Sequence, residues 1–273
     1  MMNPIIIVCI FTGIIHFAEC TASSLRLAGV RTKSIATSLS FVNATLLVTR
    51  LSNMLQAPFL GGMVDSAINR GDVSALAVNF RFIIFAAFLG NLFAAILTPF
   101  SVSIFVKAIL RFEEIGSVPK LIVSAFKPKN FFAIIKRFRL PKKNTFANLS
   151  LKGMPQLFLW LNLIMVSIYA IGVLSALYAG SMVPEYRVTA TQLSAIVNGL
   201  ATILLTLMVD PTCAFITDRA MKGKRSEKDV RAMVFYIILG RVAGTLLLSQ
   251  LLFLPAAEYI KTVTLMVKGA FGN

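Results

Sequence analysis

Six long apolar stretches dominate this chain and limit what it can fold into. They cover about residues 4–25, 35–57, 76–100, 156–180, 188–210 and 232–254. A helix needs about 20 apolar residues to cross the hydrocarbon core of a bilayer, and each stretch reaches that length. Because only helices and closed barrels satisfy all their backbone hydrogen bonds in lipid, the pattern predicts an all-α integral membrane protein with six transmembrane helices.

The composition of the chain excludes a soluble globular domain. Of the 273 residues 57% are hydrophobic and only 14% are charged, and the mean hydropathy is +0.82. A typical soluble domain is about a quarter charged. The net charge of +16 would otherwise suggest nucleic-acid binding. A chain this apolar offers little water-facing surface for that, so we expect no nucleic-acid partner.

The cations alternate between the segments that connect the apolar stretches. Lys and Arg number three, one, eleven, one and six in the five connections and two in the C-terminal tail. Connections rich in Lys and Arg stay in the cytoplasm. We therefore predict that the first, third and fifth connections are cytoplasmic and that both termini face outward. The first stretch contains His16 and Glu19 and follows no cation, which favours a retained span over a cleaved signal peptide.

The third connection, residues 107–155, is a basic loop that contains a candidate interfacial helix. Residues 130–140 read NFFAIIKRFRL and place aromatic and aliphatic side chains beside Lys136, Arg137 and Arg139. Such a segment lies flat on a membrane surface and attracts anionic lipids. The alternative is an ordinary retention signal that only fixes the topology. We expect anionic membrane lipids to be partners of this loop.

Polar and ionisable side chains recur inside the apolar stretches, where they are costly and indicate function. The predicted substrate contacts are Arg50, Arg81, Arg241, Asn43, Asn53, Gln56 and Asn198. The predicted ion-pairing or proton-coupling groups are Glu19, His16 and Asp210. In the first stretch, one helical face carries Thr12, His16, Glu19, Ser23 and Arg26.

The charges within the spans predict a cavity that admits an anion. Three buried arginines against two carboxylates leave a cationic excess. Arginine suits phosphate because its planar guanidinium donates paired hydrogen bonds. The alternative is that Glu19 or Asp210 simply neutralises Arg241 in a buried pair. His16 is compatible with packing or with a proton relay.

Two weaker patterns concern how the helices are arranged. Gly172 lies on a small-residue face of the fourth stretch, and Gly240 and Gly244 form a GxxxG in the sixth, which favours close helix packing. The strings MVDS at Met63 and MVDP at Met208 follow two stretches that also share short matches. A 3+3 inverted-topology repeat would explain this similarity and is typical of alternating-access carriers.

No motif for catalysis, nucleotide hydrolysis or metal binding is found. The strings GxxxxGK[ST], HExxH and GxSxG do not occur, and one histidine cannot build a multi-histidine metal centre. Cys9, Cys20 and Cys213 have no paired spacing. We predict no catalytic residue, metal or cofactor. A membrane enzyme acting on a polyprenyl phosphate or pyrophosphate stays as the alternative, and a scaffold that recruits partners through its basic loop is a third.

Residues 26–65, from RLAGVRTKSIATS to QAPFLGGMVD, resemble the signature region of the Amj family, bacterial lipid II flippases that act as alternates to MurJ. MVDPTCAFITD from Met208 and GRVAGTLLLSQ from Gly240 resemble later blocks of that family. The resemblance implies a carrier in the bacterial cytoplasmic membrane. Its substrate would be lipid II, the undecaprenyl-pyrophosphate-linked disaccharide-pentapeptide used for peptidoglycan synthesis. The oligomeric state is left open, with a homodimer as one option.

Overall fold

The computed structural model describes residues 3–125, 127–136, 138, 141, 149 and 153–270, and within them the chain is helical. The α-helices run Pro4–Ala22, Ser24–Thr32, Ile35–Arg70, Val73–Ile115, Val118–Ala125, Pro128–Ile135, Gln156–Met182, Arg187–Leu204, Asp210–Met221, Glu227–Ala243 and Ser249–Ala270. A 3₁₀ turn at Pro184–Tyr186 precedes the helix that starts at Arg187. Two π-helical segments, Leu205–Val209 and Gly244–Leu248, connect helices that would otherwise be continuous.

Six helices in the described residues are long and apolar enough to cross a membrane, which confirms the predicted all-α architecture. These spans 1 to 6 are Pro4–Thr32, Ile35–Arg70, Val73–Ile115, Gln156–Met182, Pro184–Met221 and Glu227–Ala270. Each begins close to the predicted residue, but spans 2, 3 and 6 continue for more than a dozen residues past the predicted end. Hydropathy reports the lipid-crossing part alone, whereas the helix ends at a local stop signal.

The stop signals are glycines in the left-handed conformation. Span 2 ends at Arg70 because Gly71 has a φ of +68°, and span 3 ends at Ile115 because Gly116 has a φ of +66°. Glycine adopts this conformation without steric cost and is therefore the usual residue after a helix end. Helix starts are equally local. Asp72 accepts a hydrogen bond from the Ala75 amide, and Ser226 and Asp229 form a capping box.

The predicted basic loop begins later than expected, because span 3 extends to Ile115 and carries Lys107 and Arg111 on its last turns. Two short helices follow, Val118–Ala125 and Pro128–Ile135. The second overlaps the predicted interfacial helix, and its Phe132 and Ile135 side chains are exposed. Its location at a membrane surface stays a prediction. The loop cations that lie outside the described residues are Arg137, Arg139, Lys142, Lys143 and Lys152.

Spans 1 and 4 are the centres of the packing. Span 1 contacts spans 2 and 3, and span 4 contacts spans 5 and 6. The GxxxG pattern works as predicted: a Cβ atom on Gly244 would lie 2.5 Å from Ser167 Oγ of span 4. The first and second halves thus each have a central helix, but the inverted repeat itself stays a prediction.

The spans differ strongly in how much of their apolar surface the protein covers. In the most apolar stretch of spans 1, 3 and 4, 44% of the residues are buried, and 33% in span 6. The corresponding share is 22% in span 2 and 11% in span 5. We call spans 1, 3, 4 and 6 the packed group and spans 2 and 5 the open pair.

Polar contacts mark the two ends of the bundle. At one end Arg31 of span 1 forms a 2.7 Å ion pair with Glu227 of span 6. Ser34, before span 2, donates a hydrogen bond to Glu113 of span 3. We call this the basic end. At the opposite end Arg187 of span 5 forms a 2.5 Å ion pair with Asp65 of span 2.

Candidate functional site

A cavity of about 620 Å³ opens among the spans in the half of the bundle that lies toward the basic end. Its lining side chains come from the end of span 1, the start of span 2, the start of span 4, the end of span 5 and the first half of span 6. The polar ones are Glu19, Ser23, Arg26, Asn43, Asn162, Tyr169, Thr202, Thr206, Asp210 and Arg241. Apolar side chains such as Leu39, Leu46 and Ile237 separate them.

The first of two ion pairs in this cavity joins Glu19 of span 1 to Arg241 of span 6 at 3.0 Å. It is deeply placed, because the Glu19 and Arg241 side chains are only 7% and 16% exposed. A buried carboxylate that loses its partner is left as an uncompensated charge, which costs about 3–5 kcal/mol. This pair therefore braces spans 1 and 6 against each other.

The second ion pair joins Arg26 of span 1 to Asp210 of span 5 at 2.6 Å. Arg26 is 18% exposed, but its partner Asp210 is 55% exposed. Half-exposed pairs contribute about 0–1 kcal/mol, because water solvates either partner when they separate. The two pairs thus combine the same chemical groups in environments that differ mainly in access to water.

The balance of charge corrects one expectation from the sequence. Within the described residues the cavity contains two arginines and two carboxylates, and each arginine is paired, so it has no cationic excess. Arg50 is not buried but exposed, and Arg81 does not line the cavity. The alternative interpretation, in which a carboxylate neutralises Arg241, is the arrangement observed. An anion can enter only by competing with a carboxylate or by meeting a neutralised one.

Arg81 and Arg50 lie away from the cavity for different reasons. Arg81 of span 3 donates a 3.0 Å hydrogen bond to the backbone oxygen of Gln250, whose Nε2 donates to the Arg81 oxygen at 3.0 Å. This reciprocal contact joins spans 3 and 6. Arg50 follows Asn43 and Leu46 on one face of span 2, one turn beyond the cavity lining. Among the described residues it has no ion-pair partner.

The predicted amide contacts are also separated. Asn43 lines the cavity. Gln56 is buried and accepts a 2.9 Å hydrogen bond from Thr12 Oγ1, while its Nε2 donates to Asn53 at 3.0 Å, so this chain of contacts joins spans 1 and 2. Asn198 does not line the cavity, since its side chain lies against Gly172 of span 4.

His16 is buried one turn before Glu19, and its Nδ1 atom has no hydrogen-bond partner within the described residues. It lies beside the cavity rather than in its lining. The structure therefore brings together Glu19, Asp210, Arg241 and Asn43 from the predicted set. It does not bring in His16, Arg50, Arg81, Asn53, Gln56 or Asn198.

The predicted site set lacks six of the polar residues that line the cavity, namely Ser23, Arg26, Asn162, Tyr169, Thr202 and Thr206. Arg26 belongs to the cations that indicate the topology, although its place on the same face of span 1 as Thr12 to Ser23 is a sequence signal for a position in the cavity. Asn162 and Tyr169 belong to span 4, whose small residues directed attention to packing. Asn162 Nδ2 donates to the Ile237 oxygen at 3.1 Å, which attaches span 4 to span 6 beside the cavity.

Helix irregularities lie next to the cavity. The π-helical segment Leu205–Val209 contributes Leu205, Thr206 and Val209 to the lining, and the segment Gly244–Leu248 begins three residues after Arg241. π-helical turns occur frequently at functional sites.

A second cavity, of about 650 Å³, lies between spans 1 and 3 and has an apolar lining that includes Ile10, Gly13, Phe82, Gly90 and Phe93. It offers no charged or polar side chain to an anion. Within the described part of the chain, no three His, Cys, Asp or Glu side chains lie close enough to hold a metal ion. The polar cavity is therefore the candidate substrate site.

The model of the family described as Amj, alternate to MurJ, matches residues 11–264. This chain belongs to the Amj family. A curated relative, the lipid II flippase Amj of Bacillus subtilis, is 38% identical over 255 residues, which cover 93% of this chain and 94% of the relative. No solved structure matches the chain. Family membership and the six spans together make this a multi-pass membrane protein.

Proposed function

We propose that this protein is a lipid II flippase, a transporter rather than an enzyme. The observation that carries the proposal is the polar cavity with two arginines, Arg26 and Arg241, among the membrane-spanning helices of an Amj-family chain. The related protein of Bacillus subtilis carries the name lipid II flippase. The substrate is undecaprenyl-pyrophosphate-linked disaccharide-pentapeptide, an anionic headgroup on a long apolar tail.

The chemistry of the cavity suits such a headgroup. Guanidinium groups donate paired hydrogen bonds to phosphate oxygens. Sugars need amide and hydroxyl partners, which Asn43, Asn162 and Thr202 supply. The tail stays in lipid, so the cavity must open sideways. The open pair, spans 2 and 5, supports this opening, since both line the cavity and both leave most of their apolar surface uncovered.

The orientation follows from the cation count. We propose that the basic end is cytoplasmic and that both termini face outward, in agreement with the excess of Lys and Arg in the first, third and fifth connections. The cavity then faces the leaflet where lipid II is made, and the ion pair Asp65–Arg187 closes the outer side. An inside-negative potential would favour outward movement of an anion by about 2.3 kcal/mol per charge per 100 mV.

The basic loop supplies a second kind of contact. We propose that anionic lipids of the inner leaflet bind near the helix Pro128–Ile135, where Lys127 and Lys136 are exposed beside apolar side chains. A homodimer stays a prediction, and cross-linking in native membranes tests it.

The function is tested by reconstitution. Purified protein in liposomes that carry lipid II on one leaflet should make the lipid accessible to a reagent on the other side, without nucleotide. The same sample is incubated with polyprenyl pyrophosphate while released phosphate is measured. Transfer without phosphate release supports the flippase. Phosphate release without transfer supports the alternative of a polyprenyl-pyrophosphate enzyme and contradicts the proposal.

A growth assay gives the second test. Cells that lack their other lipid II flippase should survive on the wild-type protein and fail on a variant that blocks the cavity, such as Thr202→Trp at equal expression. Asp218→Asn is the matched control, because Asp218 pairs with Lys222 on the surface of the same span. Equal growth of the cavity variant and the control would contradict a transport path through this cavity.

A further inference from the structure

The two ion pairs of the cavity leave open which arginine meets the substrate. Resting on the proposed function, we propose that Arg26 binds the diphosphate of the lipid-linked substrate and that Asp210 is the counter-ion the diphosphate displaces. Arg241 stays paired with Glu19 and positions spans 1 and 6 around the site. Arg26 thereby becomes the residue that gives the cavity its affinity for a diphosphate.

Exposure decides between the two arginines. Glu19 is 7% exposed and also has buried His16 one turn before it on its own helix. If a diphosphate took Arg241 from it, the Glu19 carboxylate would be left without solvent and beside a second anion. Asp210 is 55% exposed, so it can turn into water when the diphosphate replaces it. A diphosphate can therefore replace the carboxylate that pairs with Arg26 but not the one that pairs with Arg241.

The position of Arg26 suits the entry of a headgroup from the basic end. It lies two helical turns beyond Glu19, on the cavity side of the short helix Ser24–Thr32. Thr206 and Asn43 line the same cavity and can supply neutral hydrogen bonds to the sugar that follows the diphosphate. A substrate that enters from this end thus meets Arg26 before it reaches the Glu19–Arg241 pair.

If Asp210 is a counter-ion that the substrate displaces, removing its charge changes the Kd in the opposite direction from what a structural brace would predict. If Asp210 competes with the substrate for Arg26, then its neutral isostere in Asp210→Asn strengthens binding. If the pair only joins spans 1 and 5, the same change weakens binding or leaves it unaffected. The ion pair of Arg31 and Glu227 is the control, since it also joins a guanidinium to a carboxylate, at 2.7 Å and outside the cavity.

The experiment measures the Kd for lipid II of the full-length protein in nanodiscs of neutral lipid, together with the melting temperature of each variant. We expect Arg26→Ala to raise the Kd about tenfold, because hydrogen bonds to a charged group are lost, and Asp210→Asn to lower it about threefold, because the carboxylate that competes for Arg26 is removed. Arg26→Lys should fall between wild type and Arg26→Ala, since an ammonium cannot donate the paired hydrogen bonds of a guanidinium. Glu227→Gln and Arg31→Ala should change the Kd less than about twofold, because their pair is exposed and lies outside the cavity lining.

The double variant makes the inference sharper. In an Arg26→Ala background, Asp210→Asn should lower the Kd less than it does in the wild type, because the carboxylate no longer competes for an arginine and only its repulsion of the diphosphate is removed. Undecaprenyl monophosphate serves as the comparison ligand and should lose less affinity than lipid II in Arg26→Ala.

The outcomes separate this inference from the proposed function. If the wild-type protein does not bind lipid II, the proposed function fails and the inference fails with it. If the wild type binds but Asp210→Asn weakens binding or leaves the Kd unchanged, or if Arg26→Ala leaves the Kd unchanged, the inference alone is overturned. Asp210→Asn keeps the shape of the side chain at a half-exposed position, so this arm does not depend on a variant that fails to fold.

Discussion

The packed group and the open pair share one cavity but are built in different ways. Spans 1, 4 and 6 meet through glycines, buried amides and the deeply placed Glu19–Arg241 pair. Spans 2 and 5 leave most of their apolar surface uncovered, and their ion pair, Asp65–Arg187, is about half exposed. A carrier needs a fixed part that holds its binding groups and a part that moves around them. The burial of the packed group, spans 1, 3, 4 and 6, suits the first role, and the uncovered surface of the open pair suits the second.

The largest effect is expected at the charge that braces the packed group. Glu19→Ala leaves Arg241 buried without a partner and should lower the free energy of unfolding by about 3–5 kcal/mol. Thermal unfolding in detergent measures this loss. Asp218→Asn removes an exposed carboxylate and should change the stability by less than about 1 kcal/mol. Equal losses in the two variants would contradict the distinction between buried and exposed pairs.

The next effect tests close packing between spans 4 and 6. Gly244→Val places a side chain where a Cβ atom already lies 2.5 Å from Ser167 Oγ and 3.1 Å from the Leu163 oxygen. Overpacking of this kind should cost about 1–3 kcal/mol. The control is Gly199→Ala in span 5, where no atom of the described residues outside that helix lies within 4 Å of the added carbon. A lower free energy of unfolding for Gly199→Ala than for Gly244→Val would contradict the difference in packing between spans 5 and 6.

A smaller effect is expected on the open pair. Asp65→Asn removes the ion pair with Arg187 and should change the free energy of unfolding by less than about 1 kcal/mol. A change of that size is enough to shift the ratio of outward-closed to outward-open protein up to about fivefold. A cysteine introduced at Thr202, in a background without native cysteines, should react faster with a membrane-impermeant thiol reagent added outside. Glu258→Gln, whose partner Lys261 lies on the same helix, is the control. An unchanged labelling rate would remove Asp65–Arg187 as the outer closure.

The smallest effect concerns how the spans begin. The Ala75 amide and the Ser74 hydroxyl lower the pKa of Asp72, which begins span 3, whereas the helix of span 5 that starts at Arg187 has no such side-chain cap. Because the pKa of Asp72 is lower in the folded state, the ionised carboxylate stabilises the folded protein at any pH above the ordinary pKa of 3.8. This stabilisation is lost as the pH falls through the lowered pKa. The stability difference between wild type and Asp72→Ala should therefore narrow below about pH 4, as measured by unfolding at several pH values. A difference that grows on acidification would exclude this cap.

Some of the molecule is readable from the sequence because it depends on local properties. The six spans follow from hydropathy, and Gly71 and Gly116 at the helix ends follow from backbone conformation. Gly240 and Gly244 are found because small residues at a spacing of four form a packing face. Glu19 and Asp210 are found because a carboxylate within an apolar stretch is costly and therefore conspicuous.

The sequence does not reveal side-chain contacts between residues that lie far apart along the chain. Arg81 looks like Arg241 in a hydropathy plot, but its guanidinium donates hydrogen bonds to Gln250, which is 169 positions away. Gln56 looks like a sugar ligand until Thr12 of another span is placed against it. Arg26 lies at the edge of an apolar stretch, so its charge could be explained by topology alone. Which side chains face the cavity depends on helix rotation and tilt, which are set by packing between spans.

The π-helical segment Leu205–Val209 has a consequence for the spacing of span 5. A π-turn holds one residue more than an α-turn, and each residue of a regular helix advances the direction of its side chain by about 100°. Asp210 directly follows this segment, and in the direction it takes there it forms the ion pair with Arg26. The length of chain between Thr202 and Asp210 is therefore as decisive as the residue types along it. A regular α-helix of the same length would turn the Asp210 carboxylate by about 100° from its present direction without changing any side chain that lines the cavity.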